Sequence, residues 1–114
     1  MSITGQDAVK AKLAKMKAGL TSNEVIQEAG KQWLEEDVLP LARQLVPKRT
    51  GNLERSIEGE VVGSEIHVRA TAPYAEEVEF GGNSEAQPYL YPAIEQTKAA
   101  LGRKIKQSMK RRST

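Results

Sequence analysis

The chain has 114 residues, of which 39% are hydrophobic, 28% charged and 4% aromatic. That length suits one domain, and the composition supports a modest aliphatic core under a well-solvated surface. A fully disordered chain is excluded, and a large enzyme pocket would be hard to house. The absence of cysteine removes disulfides, thiolate metal sites and cysteine nucleophiles together. The net charge of +2 hides an uneven distribution: residues 1–50 sum to +2, residues 51–97 to −7 and residues 98–114 to +7. An acidic middle is followed by a basic tail.

Along the chain, Val9, Leu13, Met16 and Leu20 fall on one face of a predicted first helix. Lys10, Lys12, Lys15 and Lys17 break every apolar run there, so neither a signal peptide nor a membrane span is expected. Thr21 with Glu24 forms a capping-box pattern. It opens a second helix over about Asn23 to Val46, with a stripe of Ile26, Ala29, Trp33, Val38, Leu41 and Leu45. Pro40 predicts a kink or boundary near Asp37 to Leu39, because proline lacks the backbone donor and presses on the preceding turn. Pro47 ends the helix, and Lys48 to Asn52 reads as a connection.

The period then changes to two. Ile57, Gly59 and Val61 alternate with Glu58, Glu60 and Val62, Ile66, Val68 and Ala70 alternate with His67, Arg69 and Thr71, and Gly63-Ser64 suits a two-residue hairpin turn. Pro73 to Phe80 reads as a helical turn running into a strand, with Tyr74, Val78 and Phe80 facing inward. Gly81 to Ser84 is a loop. Pro92 suits a first helical position for the last helix, whose stripe is Leu90, Ile94, Leu101, Ile105 and Met109. Its carboxyl end carries Arg103, Lys104, Lys106, Lys110, Arg111 and Arg112, cations placed where the helix dipole favours them.

The fold class expected is therefore α+β in a single domain over residues 1–114. It comprises an amino-terminal helical segment, an antiparallel sheet of about three or four strands around a central hairpin, and a carboxy-terminal helix packed on the sheet. The basic tail from about residue 103 is either part of that helix or frayed. The expected core is Ile26, Trp33, Leu41, Leu45, Leu53, Ile57, Val61, Ile66, Val68, Val78, Phe80, Leu90, Ile94 and Leu101.

Chemistry is harder to find. His67, the sole histidine, has the parity opposite to Ile66 and Val68 and so faces solvent or a neighbouring subunit. Glu76, Glu77 and Glu79 read as a solvated acidic edge before they read as a carboxylate metal site. Ser56 or Ser64 with His67 matches no nucleophile motif, and the glycine turns carry no phosphate-loop lysine. No catalytic residue, cofactor or metal is expected. The basic tail can attract phosphates without base contacts, but equally can be a solvated terminus.

Three stretches in order resemble the neck, or head-to-tail joining (tail-completion), proteins of long-tailed bacteriophages and prophages. The first runs from Ala42-Arg43-Gln44-Leu45-Val46-Pro47 to Arg49-Thr50-Gly51-Asn52-Leu53-Glu54-Arg55-Ser56-Ile57. The second is Tyr74-Ala75-Glu76-Glu77-Val78-Glu79-Phe80-Gly81, and the third Ala86-Gln87-Pro88-Tyr89-Leu90-Tyr91-Pro92-Ala93. The resemblance covers roughly residues 42 to 94; Gly82 stands where many relatives have threonine. It implies a non-enzymatic virion protein that assembles as a homo-oligomeric ring between the head connector or adaptor and the tail, with DNA passing through without sequence-specific contact. It marks Pro47, Thr50, Gly51, Leu53, Ser56, Ile57, Tyr74, Val78, Glu79, Phe80, Gly81, Pro88, Leu90 and Pro92 as structural positions. The charge distribution adds Glu76 and Glu77 on one side, and Arg103, Lys104, Lys106, Lys110, Arg111 and Arg112 on the other, as candidate interface or phosphate contacts. The alternatives are a tail terminator or minor tail component, a nucleic-acid-binding module using the basic helix, and, last, a nuclease or peptidoglycan hydrolase.

Overall fold

The computed structural model of the chain describes residues 2–4, 23–47, 51–82 and 85–112. The expected first helix over Val9 to Leu20, the Thr21 cap and Thr50 lie outside these residues. A short strand that the sequence did not signal, β1 (Ser2–Thr4), opens the structure. It is followed by α1 (Asn23–Trp33), a π-helical turn (Leu34–Val38) and α2 (Leu39–Leu45). Next come α3 (Asn52–Ser56), β2 (Ile57–Val62), β3 (Glu65–Ala70), α4 (Ala75–Phe80) and α5 (Leu90–Arg112). The class is α+β.

Helix α1 buries Val25, Ile26, Ala29, Gly30 and Trp33, one face of a 3.6-residue repeat. In a straight α-helix the ring of Pro40 would press on the carbonyl of Glu36, and its missing N–H would leave a gap in the ladder. The chain answers by widening one turn: the Leu39 N–H donates to the Leu34 carbonyl, five residues back. This extra residue changes the phase of everything after it. The buried row becomes Ala29, Trp33, Val38, Ala42 and Val46, while Leu41 is only half-buried and Leu45 is exposed. Leu41 and Leu45, expected in the core, therefore stand one residue out of register with it.

Val46 turns extended ahead of Pro47, as residues before proline do. The chain re-enters helix at α3 through Gly51, whose φ of +77° is the left-handed region that side chains other than glycine resist. Leu53 and Ile57 then enter the core at the two ends of α3. The sheet has the order β1-β3-β2, antiparallel throughout. Ile57 pairs with Ala70, Gly59 with Val68 and Val61 with Ile66 on the inner face. On the outer face Arg69 reaches Glu58 at 3.3 Å and Glu60 at 2.5 Å. The hairpin turns at Gly63, φ +60°.

α1 crosses the hairpin, and α5 packs along α1, the π turn and α2. Close approach has a specific cause at Gly59: a β-carbon there would stand 2.6 Å from Leu34 Cδ2 and 3.1 Å from the His67 carbonyl oxygen. Trp33, fully buried, donates its indole N–H to both the carbonyl and the hydroxyl oxygen of Thr97 at 3.0 Å, pinning α1 to α5. Residues 75–80, expected to run into a strand, form a short helix instead, with the Val78 N–H on the Tyr74 carbonyl and the Gly81 N–H on that of Glu77.

Candidate functional site

The α4–α5 junction concentrates the residues singled out from sequence. Glu79 is 2% exposed, not the solvated edge its neighbours suggest. Its carboxylate accepts three backbone N–H groups at the start of α5: Tyr89 at 3.1 Å and Leu90 at 2.9 Å through Oε1, and Tyr91 at 3.2 Å through Oε2. A helix leaves four such donors without intrahelical partners, and negative charge is favoured at that end. Here the fourth position is Pro92, which has no N–H, and the ladder begins with Ala93 N–H on the Tyr89 carbonyl. Pro92 thus sits third in the helix, not first, at the last place where a missing donor costs nothing. The Tyr89 hydroxyl donates to the Ala75 carbonyl at 3.3 Å, and burial, then the nearby Glu79 charge, push its pKa up from the usual phenol value. The Gln87 N–H donates to the Val78 carbonyl at 2.8 Å, closing the junction.

On the outside of this junction lie two aromatic rings expected to face inward or left unassigned. Phe80 is 59% and Tyr91 48% exposed, with ring centroids 5.7 Å apart. Tyr74, placed in an inward set from sequence, is also exposed, and Val78 is half-buried. The physical reason is the helix: in α4 the residues that turn inward are Ala75 and Glu79, four apart, which rotates Phe80 outward. Glu76, Glu77, Glu85 and Pro88 are exposed, while Leu90 is buried. Gly81 ends α4 with φ +89°. At the other motif, Pro47 is half-buried, and the Ser56 hydroxyl donates to the Leu53 carbonyl at 2.8 Å.

The cations of α5 divide into three groups. Lys98 pairs with Glu95 at 2.7 Å within the helix. Lys104 reaches Asp37 at 2.9 Å and Glu36 at 3.2 Å in the π turn; the hydrogen bond to Asp37 foremost holds its pKa above the usual lysine value. Arg112 at 2.9 Å, Arg111 and the Ser108 hydroxyl converge on Glu28 of α1, whose pKa is lowered chiefly by the Arg112 hydrogen bond. Arg103, Lys106 and Lys110, at i, i+3 and i+7, lie exposed on an outward stripe. The candidate contacts read from charge alone are thus not one patch. Lys104, Arg111 and Arg112 clamp helices, and the stripe faces out. Glu28 and Asp37 were not singled out from sequence, since single acids on a helix carry no local signal of partners in the last helix, which lie 80 or more residues on from Glu28 and, for Asp37, at Lys104.

His67 is partly exposed, with Nε2 3.6 Å from the Glu65 carboxylate. Among the described residues no group of three or more histidine or acidic side chains is placed to hold a metal ion, and no helix is long and apolar enough to cross a membrane.

No curated protein and no solved structure matches the chain. Comparison with protein families matches residues 7–81 to the HK97-gp10-like family, described as "Bacteriophage HK97-gp10, putative tail-component". The match takes in the two motifs ending at Ile57 and Gly81 and reaches back into the amino-terminal segment, while the third motif and α5 lie beyond it. With about two thirds of its residues matched, including the hairpin and the helix that carries Glu79, the chain belongs to the HK97-gp10-like family of phage tail-component structural proteins.

Proposed function

We propose that this protein joins or completes the head–tail interface of a long-tailed phage, as one subunit of a ring around the DNA path. Its partners are then copies of itself, the head connector or adaptor, and the tail, and its place is the virion. The observation that carries this reading is the unlike chemistry of the two ends of α5. Exposed acidic Glu76, Glu77 and Glu85 lie in the residues that lead into its start, and Arg103, Lys106 and Lys110 line its far end. At 1.5 Å per residue the stripe begins about 18 Å beyond Tyr91. A subunit with two different surfaces makes heterologous contacts, which close into rings when the rotation allows. Charge of opposite sign on the two surfaces steers the encounter and sets register. The family supports a structural role, and the motif residues serve turns, a helix start and the core, with no reacting group assembled among them. DNA passes such a ring without base contacts.

Electron microscopy of particles made with the gene intact and cleanly deleted tests the reading. Filled heads and separate finished tails in the deletion are expected. Complete infectious particles would overturn it.

A further inference from the structure

We propose that the exposed Phe80–Tyr91 ring pair is the seat for the Arg103–Lys106–Lys110 stripe of a second copy of this chain. The proposal deepens the two-ended subunit above and rests on it for its setting in the virion.

The chain has five aromatic residues, and Trp33 and Tyr89 are completely buried. Placing its only phenylalanine 59% exposed, beside a half-exposed tyrosine, is not the scattered apolar exposure ordinary surfaces show. The two rings meet at 60° across elements locked together from beneath. Phe80 follows Glu79 directly, and Tyr91 is one of the three residues whose N–H Glu79 holds. A contact surface so fixed loses little freedom on binding.

The rim decides the occupant. From residue 70 to residue 97 the sequence has no lysine, arginine or histidine, and Glu76 lies one helical turn from Phe80. Rings in a segment whose charged residues are all acidic attract cations and repel phosphates, which argues against nucleic acid or an anionic lipid surface. A matching surface exists on the same chain. Arg103, Lys106 and Lys110 project from consecutive turns of α5 over about 10 Å, and Arg103 and Lys106 make no ion pair among the described residues. Arginine is the side chain best suited to lie on an aromatic face. Tyr91 of the seat and the stripe belong to one helix and lie about 18 Å or more apart along it, so neither surface can satisfy the other within one copy. The contact is intermolecular and heterologous.

Sedimentation velocity on the full chain tests this with two surface variants, Phe80→Ser/Tyr91→Ser and Arg103→Glu/Lys106→Glu. The wild type is expected to associate with rising concentration, less so at about 0.5 M than at about 0.05 M salt. Each variant alone should associate at least about tenfold more weakly. Mixed in equal amounts, they should form dimers that do not grow, because one intact seat meets one intact stripe. Wild-type association by the ring variant, a mixture that stays monomeric, or a wild type monomeric up to roughly millimolar would each overturn the proposal. Complementing the gene deletion separates the two readings. If the deletion unjoins heads from tails and the ring variant restores joined particles at full yield, the contact fails and the neck role stands. If the deletion leaves particles joined, the neck role fails and sedimentation alone decides the contact.

Discussion

Replacing Glu79 by alanine should be among the most damaging single changes in this protein, although the residue is one acid in an acidic stretch. The carboxylate holds three N–H groups, of which those of Tyr89 and Leu90 are buried and that of Tyr91 belongs to an exposed residue that water can reach. Two orphaned buried donors at about 1–3 kcal/mol each give about 2–6 kcal/mol, against a total stability of about 5–15 kcal/mol for a domain of this kind. Glu79→Gln keeps one acceptor oxygen but turns an amide donor toward other donors and loses the charge the helix start favours, so it should cost about half as much. Urea unfolding followed by Trp33 fluorescence reports the change directly, since this sole tryptophan is bonded to Thr97 of α5. With a slope of about 2 kcal/mol/M, the alanine midpoint should fall by roughly 2 M and the glutamine midpoint by roughly 1 M. An alanine variant within about 0.3 M of wild type at unchanged slope would refute the assignment of Glu79 as the anchor of α5.

Gly59→Ala should destabilise by about 1–3 kcal/mol through overpacking against Leu34 and the His67 carbonyl. In the Gly59→Ala/Leu34→Ala double variant the cost should be smaller than the sum of the two single costs, and strict additivity in urea midpoints would contradict the contact. Glu28 titrates below its ordinary 4.5 in the folded chain, so its contribution is present above that pH and is lost as pH falls through the lowered folded value. Cα chemical shifts of residues 108–112 should therefore move toward coil below about pH 4.5, and Glu28→Gln should show no such step. Exchanging Arg103, Lys106 and Lys110 of α5 for glutamine should reduce the log–log salt slope of duplex DNA binding by no more than about 3, and a reduction of similar size on exchanging Lys104, Arg111 and Arg112 would mean that the helix clamps open onto phosphate.

The hairpin was legible because strict alternation and a glycine turn need no tertiary information: Ile57, Gly59, Val61, Ile66, Val68 and Ala70 take the inner face in the pairing their parity predicts. The break near Pro40 was legible too, since proline acts on its own turn, but its form was not. A kink and a π turn satisfy the same local demand, and only the π turn moves Leu45 out of the core. At the α4–α5 junction the sequence supplied the residues without their roles. The apolar spacing from Pro73 to Phe80 fits a helical turn running into a strand as well as it fits a helix, and a strand would have turned Phe80 inward. Glu79 was unreadable as a cap because its partners lie ten to twelve residues later, beyond any local capping pattern. The tail's charge was legible as a sum, but its division between clamps and outward stripe depends on where α1 and the π turn bring Glu28, Glu36 and Asp37.

The widened turn at Leu34–Val38 also constrains how this gene can lose codons. Removing one residue from it would restore an unbroken α-helix with Ala42 and Val46 still in phase with Trp33, but the proline ring would then press on the carbonyl four residues before it. Closing the turn with no residue removed would instead rotate everything downstream by about 100° and swing Leu41 and Leu45 toward the sites now filled by Ala42 and Val46. The small alanine on one side and the proline on the other hold the extra residue in place. In-frame deletions that exposed loops absorb should for that reason be purged from this segment, and relatives that lack the proline are where a shortened version would first be found.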